Sequence, residues 1–313
     1  MALAPMENVT DTVFRQIVAD AGAPSVFFTE FTNCDGLFSD GRKATEHRLQ
    51  YTEKERPLIA QIWGIHPETY RDAAKLVVDL GFDGIDINMG CPDRAVTKRG
   101  ACSALINNHP LAKEIIEAAR DGAGGKLPVS VKTRIGFNTI VTDEWIGFLL
   151  SLKPDCLTVH LRTVKEQSLV PAHWDEMEKI AALRKRISPE TVLLGNGDVT
   201  SLAEADKLVT RYGIDGVMLG RGIFHNLWLF NPSVNPENVT INERLTMLLK
   251  HLDLFDSTWH DTRKFQTIKK FVKAYVHSFP DAGLWRTDMM ETKTIDELRE
   301  KVTEKMQHAH AKE

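Results

Sequence analysis

Asp86-Ile87-Asn88-Met89-Gly90-Cys91-Pro92 is the stretch whose residue types point most directly to chemistry. An apolar run ends there in a polar residue, a glycine, a cysteine and a proline. Pro92 has no N–H to give to a sheet, so the strand stops. Gly90 lets the backbone turn and lets a flat ligand approach. Cys91 therefore stands at the C-terminal end of a strand, where parallel α/β folds carry their reactive groups. Gln61, Lys132, Arg134, His160, Arg162 and Asn196 also fall at or just past the ends of apolar runs. Two glycine-rich loops follow the last two runs, Gly195-Asn196-Gly197-Asp198 and Gly220-Arg221-Gly222. Barrels hold phosphates in the loops after strands seven and eight, and the Arg221 guanidinium is a fixed fork for phosphate oxygens.

The elements that must position these residues alternate. Strands are expected over 3–6, 25–29, 57–63, 84–88, 128–133, 156–160, 191–194 and 216–219. Helices are expected over 10–19, 69–80, 110–120, 143–152, 174–186 and 202–212. Eight short apolar strands mostly separated by helices call for a parallel sheet, and the count of eight favours a TIM (β/α)8 barrel. No Gly-x-Gly-x-x-Gly follows the first strand, which counts against a dinucleotide-binding sheet. After Phe230 the pattern changes. Asn231-Pro232 and Asn235-Pro236 punctuate a linker, and only helical spacing follows, over 243–257, 261–278 and 295–308. The expected organisation is a barrel over 1–235 and a small all-helical domain over 236–313.

The chain has 313 residues, 42% hydrophobic and 26% charged, enough for one barrel and an appendage. No apolar run approaches the roughly 20 residues that span a bilayer, and the N-terminus lacks the basic and apolar regions of a signal peptide. Cys34, Cys91, Cys102 and Cys156 show no metal-ligand spacing, and no metal site is expected. Cys34, Cys102 and Cys156 read as packed thiols in a reducing cytoplasm. Net charge is -4, which weighs against nucleic acid unless cations are gathered locally. Lys98 and Arg99 follow the cysteine loop. Arg263, Lys264, Lys269, Lys270 and Lys273 concentrate on one expected C-terminal helix, with Lys269 and Lys273 on a shared face.

Asn-Met-Gly-Cys-Pro followed by Val96, Lys98, Ala101 and Ser103-Ala104-Leu105 resembles the tRNA-dihydrouridine synthases, most closely their bacterial B-type branch. The resemblance runs from Ala4 to about Phe230. It implies an FMN flavoprotein that reduces uridines of tRNA, expected in the D-loop, with NADPH as reductant, working as a monomer. It implies that Ala4, Pro5, Met6, Gln61, Lys132, His160, Asn196, Gly197, Gly220 and Arg221 hold FMN. It implies that Asn88 and Arg134 hold the target uracil, with Arg162 also on the substrate side, and that Cys91 is the general acid. A thiol at its ordinary pKa near ~8.5 is mostly protonated at neutral pH and can supply the proton. The helical domain is implied to bind tRNA, with Lys98, Arg99, Lys264, Lys269, Lys270 and Lys273 as phosphate contacts. The chain departs from the family pattern at Glu7-Asn8, at Leu161 and in the loop 163–173, which has no aromatic residue. Three other readings stand beside this one. They are a small-molecule pyrimidine or enoate reductase on the same barrel, a flavin-free RNA-binding module and a protein-docking helper. Gly90 and the basic tail oppose the first. Cys91, Lys132 and both glycine loops oppose the second. An absorption spectrum separates the flavin-free reading.

Overall fold

The computed structural model describes residues 1–310. The chain forms two compact units. One comprises Met1–Asp11 and Pro24–Gly220; the other comprises Thr12–Ala23 and the chain from Arg221 onward. The boundary expected at 235 falls inside the second unit, and the first helix, Thr12–Gly22, belongs to that unit too.

The first unit is a parallel barrel. Its strands are β1 (Ala2–Leu3), β2 (Phe27–Phe28), β3 (Leu58–Trp63), β4 (Gly84–Met89), β5 (Val129–Gly136), β6 (Cys156–Thr163), β7 (Val192–Asn196) and β8 (Gly216–Leu219). Each pairs with the next from β2 to β8, and β8 pairs with β1 through Ala2↔Met218 and Leu3↔Leu219. A bridge from Ala2 to Val26 brings β1 to the chain entering β2 and closes the ring. Thr32–Asn33 adds a short extension beside the end of β3. Ala2, Ala4, Phe28 and Met218 fill the interior, with Val26, Ile59 and Leu194 packed against them. Every residue of β4 is buried, as expected for a strand covered on both faces, although Asp86 and Asn88 interrupt its apolar sequence.

Local chemistry sets the ends of these elements. Asp83, Asp155 and Asp215 each lie just before or at the start of a strand. Their carboxylates accept from the Leu58, Val129 and Leu193 N–H groups of the neighbouring strand, at 2.7, 2.7 and 2.8 Å. Three identical clasps thus fix the register at the N-terminal rim, far along each strand from the chemistry. Helix His109–Ala123 starts with the Asn108 side chain accepting from Leu111 N–H and stops at left-handed Gly124. A Cβ on Gly122 would meet the Arg71 carbonyl oxygen at 2.1 Å. Glycine therefore permits the close approach of this helix to helix Pro67–Asp79.

In the second unit, helix Ile241–Trp259 begins with a Thr240/Glu243 capping box. Phe14, Phe224, His251 and Phe271 form an aromatic core, with His251 Nδ1 2.7 Å from the Tyr275 hydroxyl. The single helix expected over 261–278 is broken into a 3-10 turn His260–Thr262 and two short helices, Gln266–Lys269 and Val272–Tyr275. Thr267, Ile268, Val272 and Val276 are β-branched and weak helix formers, and Ile268, Phe271, Val272 and Tyr275 are all drawn into the core. Helix Ala282–Glu291 lies between the helices expected over 261–278 and 295–308 and was not expected. Asp281 adopts a left-handed φ of 66° and starts the helix there.

Candidate active site

Register brings the expected polar residues side by side toward the C-terminal ends of the strands. Gln61 pairs with Asp86, Asn88 with Lys132, Arg134 with His160, and His160 with Asn196. These residues form an arc across five strands at the C-terminal rim. Ala4 continues β1, its N–H donating to the Leu219 carbonyl at 2.8 Å. Gly220 lies against it, where a Cβ would stand 3.5 Å from Ala4 Cβ and 3.9 Å from Met6 Sδ. Pro5 and Met6 follow on the same rim segment.

The Cys91 loop is held by its own chain. Asn88 Oδ1 accepts from Gly90 N–H at 3.0 Å and Cys91 N–H at 2.9 Å. Ser103 Oγ donates to the Cys91 carbonyl at 2.7 Å. The thiol itself is half-buried. A hydrogen bond with the Cys102 thiol, the Asp93 backbone and the charge of Arg134 draw the Cys91 thiol down to about 7, against burial. The ordinary thiol expected from the sequence is thus corrected. Cys102 is the partner that changes it, and burial pushes its own thiol well up. Cys102 holds a left-handed φ of 51°, so it sits at a turn made for glycine and still packs its side chain inward.

Lys132 is half-buried beside Asn88, and its side chain makes no hydrogen bond or ion pair with another described residue. Removal from water, then the charge of Arg134, lowers its pKa to about 8, with Asp86 and Cys91 opposing. Arg134 is buried, and its desolvated guanidinium is lowered to about 10. Nε donates to the Gly90 carbonyl at 2.8 Å, and Nη1 to the Thr163 and Gln167 carbonyls at 3.1 Å each. One side chain thus clamps the residue before Cys91 to the loop 163–173. That loop is braced further by Arg162, whose Nε donates to the Val170 carbonyl at 2.6 Å, whose Nη1 is 3.2 Å from His160 Nε2, and whose Nη2 pairs with Asp198. Glu166 accepts from Thr163 N–H and lies 3.0 Å from His173 Nε2. These bonds give the loop a fixed shape without an aromatic residue.

Asn196 Nδ2 donates to the Met218 carbonyl at 2.7 Å and ties β7 to β8. Gly197 has φ 143°, and a Cβ there would stand 2.6 Å from Ala172 Cβ. Trp174 Nε1 donates to the Gly197 carbonyl, and its ring covers Gly195, where a Cβ would lie 2.7 Å away. The β7 loop therefore requires both glycines. Arg221 is exposed and opens a 3-10 turn, Arg221–Phe224, in the second unit.

A cavity of about 400 Å³ adjoins Cys91, with Phe31, Trp63, Arg48 and Asp93 on its walls. Lys98 and Arg99 are exposed beyond it, and the Arg99 guanidinium lies 5.9 Å from the Trp63 ring centre. In the second unit Lys264, Lys270 and Lys273 are exposed, and a groove of about 720 Å³ is lined by Lys270, Lys273, Arg286 and Met290. Lys269 does not share a solvent face with Lys273. It is buried, and its ammonium donates to the Met290 and Thr292 carbonyls at 2.6 and 2.5 Å. The broken helix turns it inward to close the end of helix Ala282–Glu291. Among the described residues, no cluster of three or more His, Cys, Asp or Glu side chains is arranged to hold a metal ion.

Sequence reasoning missed the parts played by Asp86, Ser130, Ser103 and Cys102. One signal was present. A carboxylate inside an otherwise apolar strand must find partners when buried.

Eight parallel strands closed around a filled interior, with a thiol and a lysine at the C-terminal mouth, define a (β/α)8 barrel built for chemistry at that rim. Solved structures share the fold. 2-Naphthoyl-CoA reductase in complex with 2-naphthoyl-CoA superposes with a TM-score of 0.57 at 11% identity, over 74% of this chain and 49% of that one. A mutant of morphinone reductase in complex with tetrahydroNAD gives 0.52 at 13% identity, over 73% and 84%. At such identities these likenesses speak for the fold alone. The family is shown by sequence. The model described as "Dihydrouridine synthase (Dus)" matches residues 2–311. A probable tRNA-dihydrouridine synthase 2 of Bacillus subtilis (strain 168) is 44% identical over 302 residues, 95% of this chain and 91% of the relative. A probable tRNA-dihydrouridine synthase of Staphylococcus aureus (strain MRSA252) is 45% identical over 302 residues, 95% and 90%. The chain belongs to the dihydrouridine synthase family.

Proposed function

We propose that this chain is an FMN-dependent tRNA-dihydrouridine synthase that reduces the C5=C6 bond of D-loop uridines at the expense of NADPH. The observation that carries the reading is the pairing of the Cys91 thiol with the Lys132 ammonium, one strand away at the mouth of a barrel of this family. The ammonium is desolvated and has no direct ion pair among the described residues, so an anion such as a reduced flavin or a developing oxyanion would be stabilised beside it. Bound FMN would supply hydride to C6 of the uracil, having taken it from NADPH.

The chain's own residues do the rest. Cys91 Sγ gives its proton to C5 as negative charge develops there. Lys132 Nζ stabilises the charge on the adjacent carbonyl. The Arg134 atom not spent on backbone carbonyls, Nη2, is the one left to a substrate. Ala4, Pro5, Met6, Gln61 and His160 line the flavin's side of the rim. Asn196, Gly197 and Gly220 form its phosphate end. The target base must leave its stack to reach this depth, and the cavity beside Cys91 is roomy enough to admit it. Arg162 shapes the loop that closes over that base. Lys98, Arg99, Lys264, Lys270 and Lys273 meet phosphates, while Lys269 keeps its structural task. A monomer in a reducing cytoplasm suits four free thiols.

The test is direct. The purified protein is expected to be yellow and to release FMN rather than FAD. Given tRNA from cells lacking this activity and NADPH, it should form dihydrouridine. A colourless protein, or one that reduces free pyrimidines and leaves tRNA untouched, would refute the reading.

A further inference from the structure

We infer that Asp86 is a positioning residue for Cys91, because its carboxylate fixes the direction of a hydrogen-bond relay that ends on the backbone of the cysteine loop. The inference rests on the reading of Cys91 as proton donor.

The relay crosses three strands. Asp86 is fully buried. Its Oδ1 accepts from Ser130 Oγ at 2.6 Å, and its Oδ2 accepts from Gln61 Nε2 at 2.6 Å. Gln61 Oε1 accepts from Asn88 Nδ2 at 2.9 Å. Asn88 Oδ1 then accepts from the N–H groups of Gly90 and Cys91. The Gln61 backbone is itself pinned, its N–H donating to Thr29 Oγ1 at 3.0 Å.

Direction is the point. An amide side chain has a donor end and an acceptor end, and either can face a neighbour. A carboxylate only accepts. Asp86 therefore forces Gln61 to present Nε2 inward and Oε1 outward. That orientation forces Asn88 to present Nδ2 to Gln61 and Oδ1 to the cysteine loop. With asparagine at 86 only the Gly90 and Cys91 N–H groups still fix the direction, and Gln61 is free to flip. Gln61 Nε2 would then face Asn88 Nδ2, two donors against one another, and Asn88 and the loop it holds would have to move. Burying a carboxylate costs stability. A neutral residue of similar size would fill the strand at less cost, but an amide there would not act as a one-way acceptor.

The groups around Asp86 are consistent with an ionised state near neutrality. Burial pushes its pKa up to about 6, restrained by Ser130, Gln61 and the charge of Lys132. From β6 the group that faces it is the Cys156 thiol, whose own pKa the carboxylate helps to raise. Below pH 6 the carboxyl gains a donor and the relay loses its direction.

The experiment uses the holoenzyme and the variants Asp86→Asn and Ser130→Ala. Cys91 alkylation by iodoacetamide is followed by peptide mass from pH 5.5 to 9 without tRNA or reductant, and flavin absorbance is recorded for each protein. In Asp86→Asn the alkylation midpoint should rise from about 7 toward the ordinary thiol value of ~8.5, slowing alkylation at pH 7 about tenfold. Loss of the negative charge alone would move the midpoint the other way. Dihydrouridine formation at pH 7.5 should fall about 10- to 100-fold, the scale of a misplaced reacting group. Ser130→Ala removes a bond that holds the carboxylate charged, so the acid limb of turnover should move up from about pH 6 while FMN stays bound. An unchanged or lowered midpoint in Asp86→Asn, or an unmoved acid limb in Ser130→Ala, would overturn the inference. Failure of the wild type to act on tRNA would instead count against the proposed reaction, because alkylation does not depend on it.

Discussion

A general acid works only while it holds its proton, and the Cys91 thiol stands at about 7. At pH 6 about nine-tenths of the enzyme would carry the thiol, at pH 7 about half, and at pH 8 about one-tenth. Above the acid limb that Asp86 sets near pH 6, the rate of uridine reduction in pre-reduced enzyme should therefore fall with a midpoint near 7 and approach a tenfold loss per pH unit. Lys132, lowered to about 8, loses its charge next, so the decline should steepen above pH 8. Cys91→Ala should cut the rate by about 100- to 10,000-fold, the usual cost of a lost general acid. Its residual activity should lack the limb near 7 and keep only the one near 8. The assay is single-turnover dihydrouridine formation from pH 5.5 to 9.5, with reduced flavin followed in the same mixture. Flavin content of Cys91→Ala should match the wild type, because the proposed reaction sets Cys91 against the uracil and not the flavin. A wild-type rate flat from pH 6 to 8, or a Cys91→Ala variant that keeps the limb near 7, would refute the assignment of the thiol as acid.

Other outcomes are expected from the same geometry. Lys269→Met leaves two carbonyls unpaired at the end of helix Ala282–Glu291, and should cost about 2–4 kcal/mol in denaturant unfolding. Lys270→Glu with Lys273→Glu should leave stability unchanged and weaken tRNA binding; each lost phosphate contact should reduce the slope of log K against log salt by about 0.7–0.9. Parallel salt slopes would remove these two lysines from the RNA surface. Gly195→Ala should displace the Trp174 ring, seen as a change in tryptophan fluorescence, and should lower FMN retention, read from flavin absorbance after gel filtration. Asp86 has a folded-state pKa raised above the unfolded ~3.9, so the native state binds more protons between pH 4 and 6. Stability should fall across that window by about 2–3 kcal/mol in wild type relative to Asp86→Asn; a pH-independent difference between the two would contradict it.

The barrel was legible because its strands are short apolar runs bounded by glycine, proline and aspartate, and because their polar ends recur at the same point in each repeat. Cys91 was legible because Gly90 and Pro92 leave it nowhere else to stand. The relay behind it was not. Gln61, Asp86, Asn88 and Ser130 come from three strands, and their pairing is fixed by register, which sequence spacing does not state. Cys102 looked like a packed thiol for the same reason; its contact with Cys91 depends on a left-handed turn. The helical unit was the hardest to read. Its charged positions fit one amphipathic helix over 261–278, but tertiary packing of Phe271, Tyr275 and His251 overrides that local preference and turns Lys269 into the interior. Arg134 and Arg162 looked like substrate ligands, and most of their donors serve the backbone of two loops.

The most direct measurement of the central claim is nucleoside mass spectrometry of tRNA after incubation with the purified holoenzyme and NADPH. Uridine gaining two hydrogens in the D-loop, with deuterium from heavy water entering at C5, is the expected result. Flavin-bound enzyme that oxidises NADPH yet leaves every tRNA uridine unreduced would contradict it.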